Sequence, residues 1–265
     1  TGRHVSGRLL LQPCRRSGVM IDILAADFSR IIKRRPRLII YGIIAGLLVL
    51  NCVTSKGDNH TLKLIKYAMD MFGVFVPLGI GLLDFTFVFS DDMDSGAFVS
   101  IVGRGMKRGR FAGIKLLEAV LLYTMDLAVF NGLTWIFCMT GVLNVGHMSL
   151  QMWAFHNLLG WITTVLGMLA GSIFVFATGK MVVGSVVMML MTSGILEKLL
   201  QSALQMPAIA NLHIDNWLPN TLTNLFVSKL NLGVVDWTAL AVLTAFGVIL
   251  AGSAVAVFKT RELEF

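Results

Sequence analysis

Apolar residues fall into six long runs along the chain, separated by shorter polar stretches. The runs cover residues 38–53, 68–89, 116–139, 158–178, 181–196 and 238–258. Four of them reach the length of about 20 residues that a helix needs to cross a bilayer, and the two 16-residue runs can borrow flanking residues. None shows the period of two that is typical of transmembrane strands. The pattern predicts an all-α integral membrane protein with six transmembrane helices.

The segments outside these runs are unequal. Residues 20–35 carry an apolar stripe and a basic end, which predicts an N-terminal interfacial amphipathic helix lying on the membrane. Residues 1–19 are basic and aperiodic, so we interpret them as a non-native extension or a disordered arm, and residues 20–265 as one transmembrane domain. The junction at Gly179-Lys180 is so short that it predicts a tight hairpin between the fourth and fifth spans.

The outer segment 197–237 is long but still apolar, with Trp217 and Pro219 near its centre. This composition predicts short re-entrant or interfacial helices rather than a flexible loop. In the fourth span, Gly167 and Gly171 have the spacing that permits close helix approach, and we expect them to set packing within the chain.

Composition excludes other protein classes. Mean hydropathy is +0.78, and charged residues make up 14% of the chain, against about a quarter in soluble domains. The net charge of +7 does not indicate a nucleic-acid partner, because the basic residues lie between apolar runs rather than on one soluble face. With the N-terminus in the cytoplasm, most of the 22 Lys and Arg lie inside, as the positive-inside rule requires. Both termini are therefore predicted to be cytoplasmic, in a multi-pass protein of the cell membrane.

The segment 90–115, between the second and third apolar runs, predicts a short amphipathic helix on the cytoplasmic face. Its acidic residues come first, its basic residues come last, and the apolar ones form a stripe, an order that a helix dipole favours. The residues are Asp91, Asp92 and Asp94, then Phe98, Ile101, Val102 and Met106, with Arg104, Lys107, Arg108 and Arg110 at the basic end. A simple interfacial anchor is the alternative interpretation.

Enzyme and metal motifs are missing from the sequence: it has no P-loop, no H-E-x-x-H and no G-x-S-x-G. We predict no catalytic residue, no metal site and no cofactor on this chain. Four carboxylates do fall in or near the apolar runs. Asp70 and Glu118 lie close to the interfaces and are expected to snorkel toward water, whereas Asp84 and Asp126 lie deeper and should face a partner helix or a cavity. The alternative for these two is a neutral group that is hydrogen-bonded inside the bundle.

The segment 90–115 resembles the cytoplasmic loop of ABC-2-type transporter permeases. The turn Asp94-Ser95-Gly96-Ala97, the basic Arg104 and Arg110, and Lys115 at the mouth of the third span match that family's degenerate pattern, with Asp in place of the commoner Glu and Ala97 in place of the usual Thr. The basic stretch 258–263 is similar to the tail that follows the last span in these permeases. The resemblance covers residues 20–265, including the long outer segment before the sixth span.

This resemblance implies the membrane subunit of an ABC exporter, with the helix in 90–115 as the coupling helix. The implied partners are two copies of an ABC ATPase, which would hold ATP and Mg²⁺ on a separate chain, a second permease subunit in a homodimer, and the lipid bilayer. The implied cargo is amphipathic, with a toxin or antimicrobial peptide favoured, and a lipid or a drug as the alternative. A polytopic membrane enzyme is the alternative from another class.

Overall fold

The computed structural model describes residues 76–90, 93, 106–139, 147–204 and 217–260, and the isolated helical positions 29, 38, 41, 42, 45 and 46. Every regular element within these ranges is helical. Within these ranges, seven helices follow one another. They are α1 (Val76–Ser90), α2 (Arg108–Met139), α3 (His147–Thr178), α4 (Met181–Thr192), α5 (Ile195–Leu204), α6 (Pro219–Asn231) and α7 (Trp237–Thr260). The predicted arm 1–19, most of the interfacial helix 20–35 and most of the first span lie outside the described residues.

Two stretches of helix are long and apolar enough to cross a membrane, Ala154–Thr178 in α3 and the whole of α7, Trp237–Thr260. Both coincide with predicted spans. A third is added if α4 and α5, which are bent by 64° at their junction, together form one broken span. The chain is therefore an all-helical protein with two to three candidate spans in its described part.

Helix α2 begins at Arg108, earlier than the predicted third span. Met106 and Lys107 are not helical, and the carbonyl of Lys107 accepts the amides of Arg110 at 2.9 Å and Phe111 at 3.1 Å. Arg108 and Arg110 thus belong to the first turn of α2, where the sequence placed them at the end of a separate helix. From there α2 runs for 32 residues without a break.

The predicted hairpin between α3 and α4 is confirmed. Gly179 turns the chain with φ of 72°, a value that favours glycine because it has no Cβ. Close approach of the two helices also needs glycine: Gly167 lies against Thr192, and Gly171 lies against the backbone of Gly184. The Gly167–Gly171 pair therefore sets packing within the chain, as the sequence indicated.

The fifth apolar run is not one straight helix, which corrects its predicted bounds of 181–196. Helix α4 stops at Thr192, and its 12 residues extend roughly 18 Å, well short of a 30 Å hydrocarbon core. Gly194 has φ of 71°, and the amides of Ser193 and Gly194 cap the end of α4 on the carbonyls of Met189 and Met191. Helix α5 then leaves in a new direction.

The outer segment folds into short helices in its described part, as predicted. Helix α5 ends at Leu204, residues 205–216 lie outside the description, and α6 begins with Pro219 in its first turn, where proline costs no hydrogen bond. Helix α6 packs against α3 and α7. Leu222 and Phe226 of α6 form a small core with Leu166 of α3 and Leu243 of α7.

The main core joins α1, α2, α3 and α7 through aromatic rings. Phe85 and Phe89 of α1 lie 4.7 Å apart between ring centroids, and Phe89 meets Phe176 of α3 at 5.6 Å. Phe258 of α7 contacts Phe176 at 4.9 Å and Phe111 of α2 at 5.7 Å. These tilted and edge-on contacts are geometries that aromatic pairs favour. They fix the ends of four helices around one point.

Candidate functional site

Most of the predicted coupling residues lie outside the described part of the chain. These are Asp91, Asp92, Asp94, Phe98, Ile101, Val102 and Arg104. Of the remainder, Lys107 is exposed, Arg108 and Arg110 are half-buried, and Met106 packs against the main core. The coupling prediction therefore stays a prediction, with its final residues placed on the start of α2.

The start of α2 lies beside the end of α7. The side chain of Lys259 lies over Gly109, and a Cβ on Gly109 would be 3.4 Å from the side chain of Val255. Phe111 and Phe258, close to these residues in sequence, make a ring contact at the same place. The basic start of α2 and the basic end of α7 are thus at the same end of the bundle.

Glu118 does not snorkel toward water, which corrects the expectation from the sequence. Its side chain is fully buried and accepts a hydrogen bond from the Lys115 ammonium at 2.8 Å, and Lys115 is only 2% exposed. The two residues are three positions apart on α2, so the helix itself holds them together. A charge in a low-dielectric interior needs such a partner, because desolvation of a single ion is costly.

Asp84 and Asp126 are both buried, at 2% and 4% exposure. Asp84 lies on α1 within electrostatic reach of the Tyr123 hydroxyl on α2, and Tyr123 donates to the carbonyl of Gly160 on α3 at 3.4 Å. Both carboxylates therefore face the bundle interior, as expected of charged groups in a membrane protein.

A polar cavity of about 320 Å³ opens at the break between α4 and α5. Helix α3 forms one wall with Gly160, Thr163 and Thr164, and α6 forms another. The remaining lining residues are Leu159, Thr192, Ser193, Gly194, Glu197, Lys198, Gln201, Asn220, Thr221 and Asn224. Eight of its thirteen lining residues carry a hydroxyl or an amide, although apolar atoms contribute the larger share of its surface. Interrupted helices in membrane proteins commonly line such polar cavities.

Glu197 holds the two short helices together at this cavity. Its Oε2 accepts the amide of Asn220, and its Oε1 accepts both the amide and the hydroxyl of Thr221, all at 2.8 Å. Gln201, one turn along α5, donates to the Thr221 hydroxyl at 3.1 Å. A carboxylate from α5 thus satisfies the first free amides of α6, where a helix dipole favours negative charge.

An ion pair holds the connection from α6 to α7. Lys229 donates to Asp236 Oδ2 at 2.6 Å, and Asp236 Oδ1 accepts the amides of Thr238 and Ala239 at 3.1 Å, which caps α7. The hydrogen bond from Lys229, and next the amide of Ala239, hold the pKa of Asp236 below its usual value of 3.8. The carboxylate therefore stays charged through the neutral and mildly acidic range.

Within the described residues, no group of three His, Cys, Asp or Glu side chains could hold a metal ion. Two functional features escaped the sequence analysis. The ion pair of Lys115 and Glu118 could have been predicted, because the two residues are three positions apart on one helix. The contact of Glu197 with α6 could not, because the two partners are more than 20 residues apart in sequence.

Comparisons with known proteins return nothing: no family model, no curated protein and no solved structure matches the chain. The class of the protein therefore has to be stated from its own fold and site. The chain is a helical protein whose longest apolar helices can cross a membrane, with a polar cavity at a broken helix and a charged pair buried in its core.

Proposed function

We propose that this chain is the permease subunit of an ATP-driven exporter of the ABC-2 type, with six spans and both termini in the cytoplasm. The proposal rests first on the resemblance of residues 90–115 to the coupling loop of that family. The observation that carries it furthest is the continuity of α2, which starts among the basic residues of this loop and runs 32 residues into the bundle. A movement imposed on the loop would tilt α2 as a rigid rod.

The order of the last elements also supports the proposal. A tight hairpin, a broken helix, two short helices and a final long helix follow one another from α3 to α7. This order agrees with the long outer segment that the resemblance implies before the last span. The ATPase, with its ATP and Mg²⁺, would act as a separate chain in two copies, and a second permease subunit would complete the exporter.

We favour an amphipathic peptide as the cargo, and a lipid or a drug is the alternative. A membrane enzyme is less well supported, because Glu197 is the one buried charged group of the described region that lines the cavity, and α6 engages both of its oxygens. Asp84, Asp126 and the Lys115–Glu118 pair all lie outside its lining. Their burial suits a role in holding the helices in register.

The proposal predicts an ABC ATPase encoded beside this gene, and co-expression of the two chains tests it. The intact chain should co-purify with that ATPase from membranes, and ATP hydrolysis should be retained in proteoliposomes. Changing Phe98 and Ile101 together to Asp should release the ATPase and leave the permease in the membrane, because both lie on the predicted docking stripe. Ser100→Asp, off that stripe, is the matched control. Full retention of the ATPase by the double variant would contradict docking at this segment.

A further inference from the structure

We propose that α4 and α5 form one hinged span, which alternates between the bent conformation and a straight helix, and that Glu197 holds the bent one. The inference is independent of the exporter proposal, because it needs only the contacts of these helices. The two helices together are apolar enough to form one span. Straightened, the stretch from Met181 to Ala203 would extend roughly 34 Å and cross the hydrocarbon core of about 30 Å, which α4 alone does not cross.

The junction between the two helices has the properties of a hinge. Gly194 has φ of 71°, and glycine adopts this conformation about as easily as the helical one. The bend also keeps backbone groups of the junction paired. The Gly194 amide donates to the carbonyl of Met191, and the Ser193 hydroxyl donates to that of Leu190, both at 3.2 Å. In a straight helix the Leu190 carbonyl would accept the Gly194 amide instead, so the two conformations can both satisfy it.

The helices on either side of α5 are fixed by packing, whereas α5 is not. Helix α4 lies against α3 through Gly184 and Gly171, and α6 shares a small core with α3 and α7. Among residues 195–203 of α5, Glu197 is the one buried side chain. A swing of α5 about Gly194 would therefore cost few apolar contacts, which is typical of elements that move in a folded protein.

The contacts that hold α5 in the bent conformation are polar. Glu197 accepts the amides of Asn220 and Thr221 and the hydroxyl of Thr221, and Gln201 donates to that hydroxyl. All four residues line the cavity. Hydrogen bonds that can be exchanged for bonds to water contribute a small net free energy, so α5 can leave α6 without a large penalty.

A straight α5 would extend the face with which α4 packs on α3. Gly184 and Met188 are the buried residues of α4. Helical periodicity places Ile195 and Leu199 on the same face, and these two side chains are exposed by 49% and 64% in the bent conformation. On α3 the opposing face continues to Gly160, which lines the cavity. The apolar side chains of α5 would then cover this wall, so the cavity is open in the bent conformation and closed in the straight one.

A spin-label distance across the hinge tests the proposal in the whole chain, reconstituted in lipid nanodiscs with its three native cysteines replaced by Ser. Ser202→Cys on α5 and Leu225→Cys on α6, both at exposed positions, carry the labels. A swing of 64° moves residue 202, which is eight residues from Gly194, by roughly 13 Å. The straight conformation should therefore appear as a second, displaced distance.

Two variants should favour the straight conformation. Gly194→Ala should raise the ratio of straight to bent by about tenfold, because alanine is strained at a positive φ and not in a straight helix. Glu197→Ala should shift the ratio in the same direction, because it removes the acceptor that holds α5 to α6. It strains no backbone, so it decides the test alone if Gly194→Ala does not fold.

Gly233→Ala and Lys198→Ala are the matched controls. Gly233 also has a positive φ, 78°, with open space at its Cβ position, but lies between α6 and α7. Lys198 is the exposed neighbour of Glu197. Neither control should change the ratio, and labels at Lys180 and Leu225, on the two anchored helices, should keep one distance in every variant. The bent distance alone in both hinge variants, a broad distribution without the displaced distance, or an equal shift in the controls would each overturn the proposal.

Discussion

Gly171 and Gly184 bring the backbones of α3 and α4 into direct contact. A Cβ on Gly184 would lie 2.7 Å from the carbonyl oxygen of Gly171, and one on Gly171 would lie 2.6 Å from the carbonyl oxygen of Gly184. Real Cβ atoms do not approach backbone oxygens this closely, so the helices must separate if either glycine gains a side chain. The close pair explains why the hairpin needs only Gly179 and Lys180 as its connection.

Gly184→Ala should therefore destabilise the protein by about 1–3 kcal/mol, the usual cost of overpacking. Gly252→Ala is the control, because Gly252 is a helical glycine of α7 with open space around its Cβ position. It should be neutral or stabilising by up to about 1 kcal/mol, since alanine is the better helix former. Unfolding in mixed detergent micelles measures both. Equal stability of the two variants would contradict the close contact.

The buried pair of Lys115 and Glu118 predicts that substitutions at the two positions have non-additive effects on the free energy of unfolding. Lys115→Met or Glu118→Leu alone should cost about 3–5 kcal/mol, because each removes the ion-pair partner of a buried charge. The double variant should lose less than either single one, since no charge of the pair then remains in the core. Denaturant unfolding of the unaltered protein, the two single variants and the double variant gives the interaction energy as a double-mutant cycle. Lys107→Met, at an exposed position, is the control. A double variant that loses the sum of the single effects would show that the pair does not interact.

The uniform apolar runs were the most predictable part of the fold. Helix α7 was expected at 238–258 and is observed at Trp237–Thr260, because a long apolar run allows one element and Asp236 caps its start. Helix α3 ends at Thr178 as predicted, because Gly179 and Lys180 interrupt the pattern. Here the local sequence and the tertiary structure favour the same boundary.

The break between α4 and α5 could not be read from hydropathy, because Ser193 and Gly194 are small residues inside an apolar run. The two short helices beyond it are held by a contact that is distant in sequence, because Glu197 binds the start of α6 more than 20 residues away. The cavity has the same origin, since its lining comes from α3, α4, α5 and α6. The burial of Glu118 likewise depends on its neighbours in the core, while its spacing from Lys115 was visible in the sequence.

Removing the Glu197 carboxylate should loosen α6. Glu197→Ala should cost roughly 1.5–3 kcal/mol, the range for hydrogen bonds to a charged group, because the amides of Asn220 and Thr221 both lose their acceptor. Glu197→Gln keeps one oxygen and should cost less. Hydrogen exchange at the two amides reports the effect directly. Ser202→Ala, an exposed change on α5, should leave the exchange of these two amides unaltered. Unchanged protection of the amides in Glu197→Ala would show that α6 does not depend on this cap.

The ion pair of Lys229 and Asp236 predicts the direction in which stability changes with pH. The folded state holds the pKa of Asp236 below 3.8, so the charged carboxylate stabilises the fold above the unfolded pKa of about 3.9, and this stabilisation is lost as pH falls through the lower folded value. Asp236→Asn keeps a capping side chain but cannot carry the charge. The Tm of the unaltered protein should therefore exceed that of Asp236→Asn at neutral pH, and the difference should shrink below about pH 4. Lys229→Met should have a lower Tm than the unaltered protein at neutral pH, because the carboxylate loses its ion-pair partner. Adding Asp236→Asn to the Lys229→Met variant should lower Tm by less than Asp236→Asn lowers the Tm of the unaltered protein. A Tm difference between the unaltered protein and Asp236→Asn that stays constant from neutral pH to pH 3 would show that the charge on Asp236 does not stabilise the start of α7.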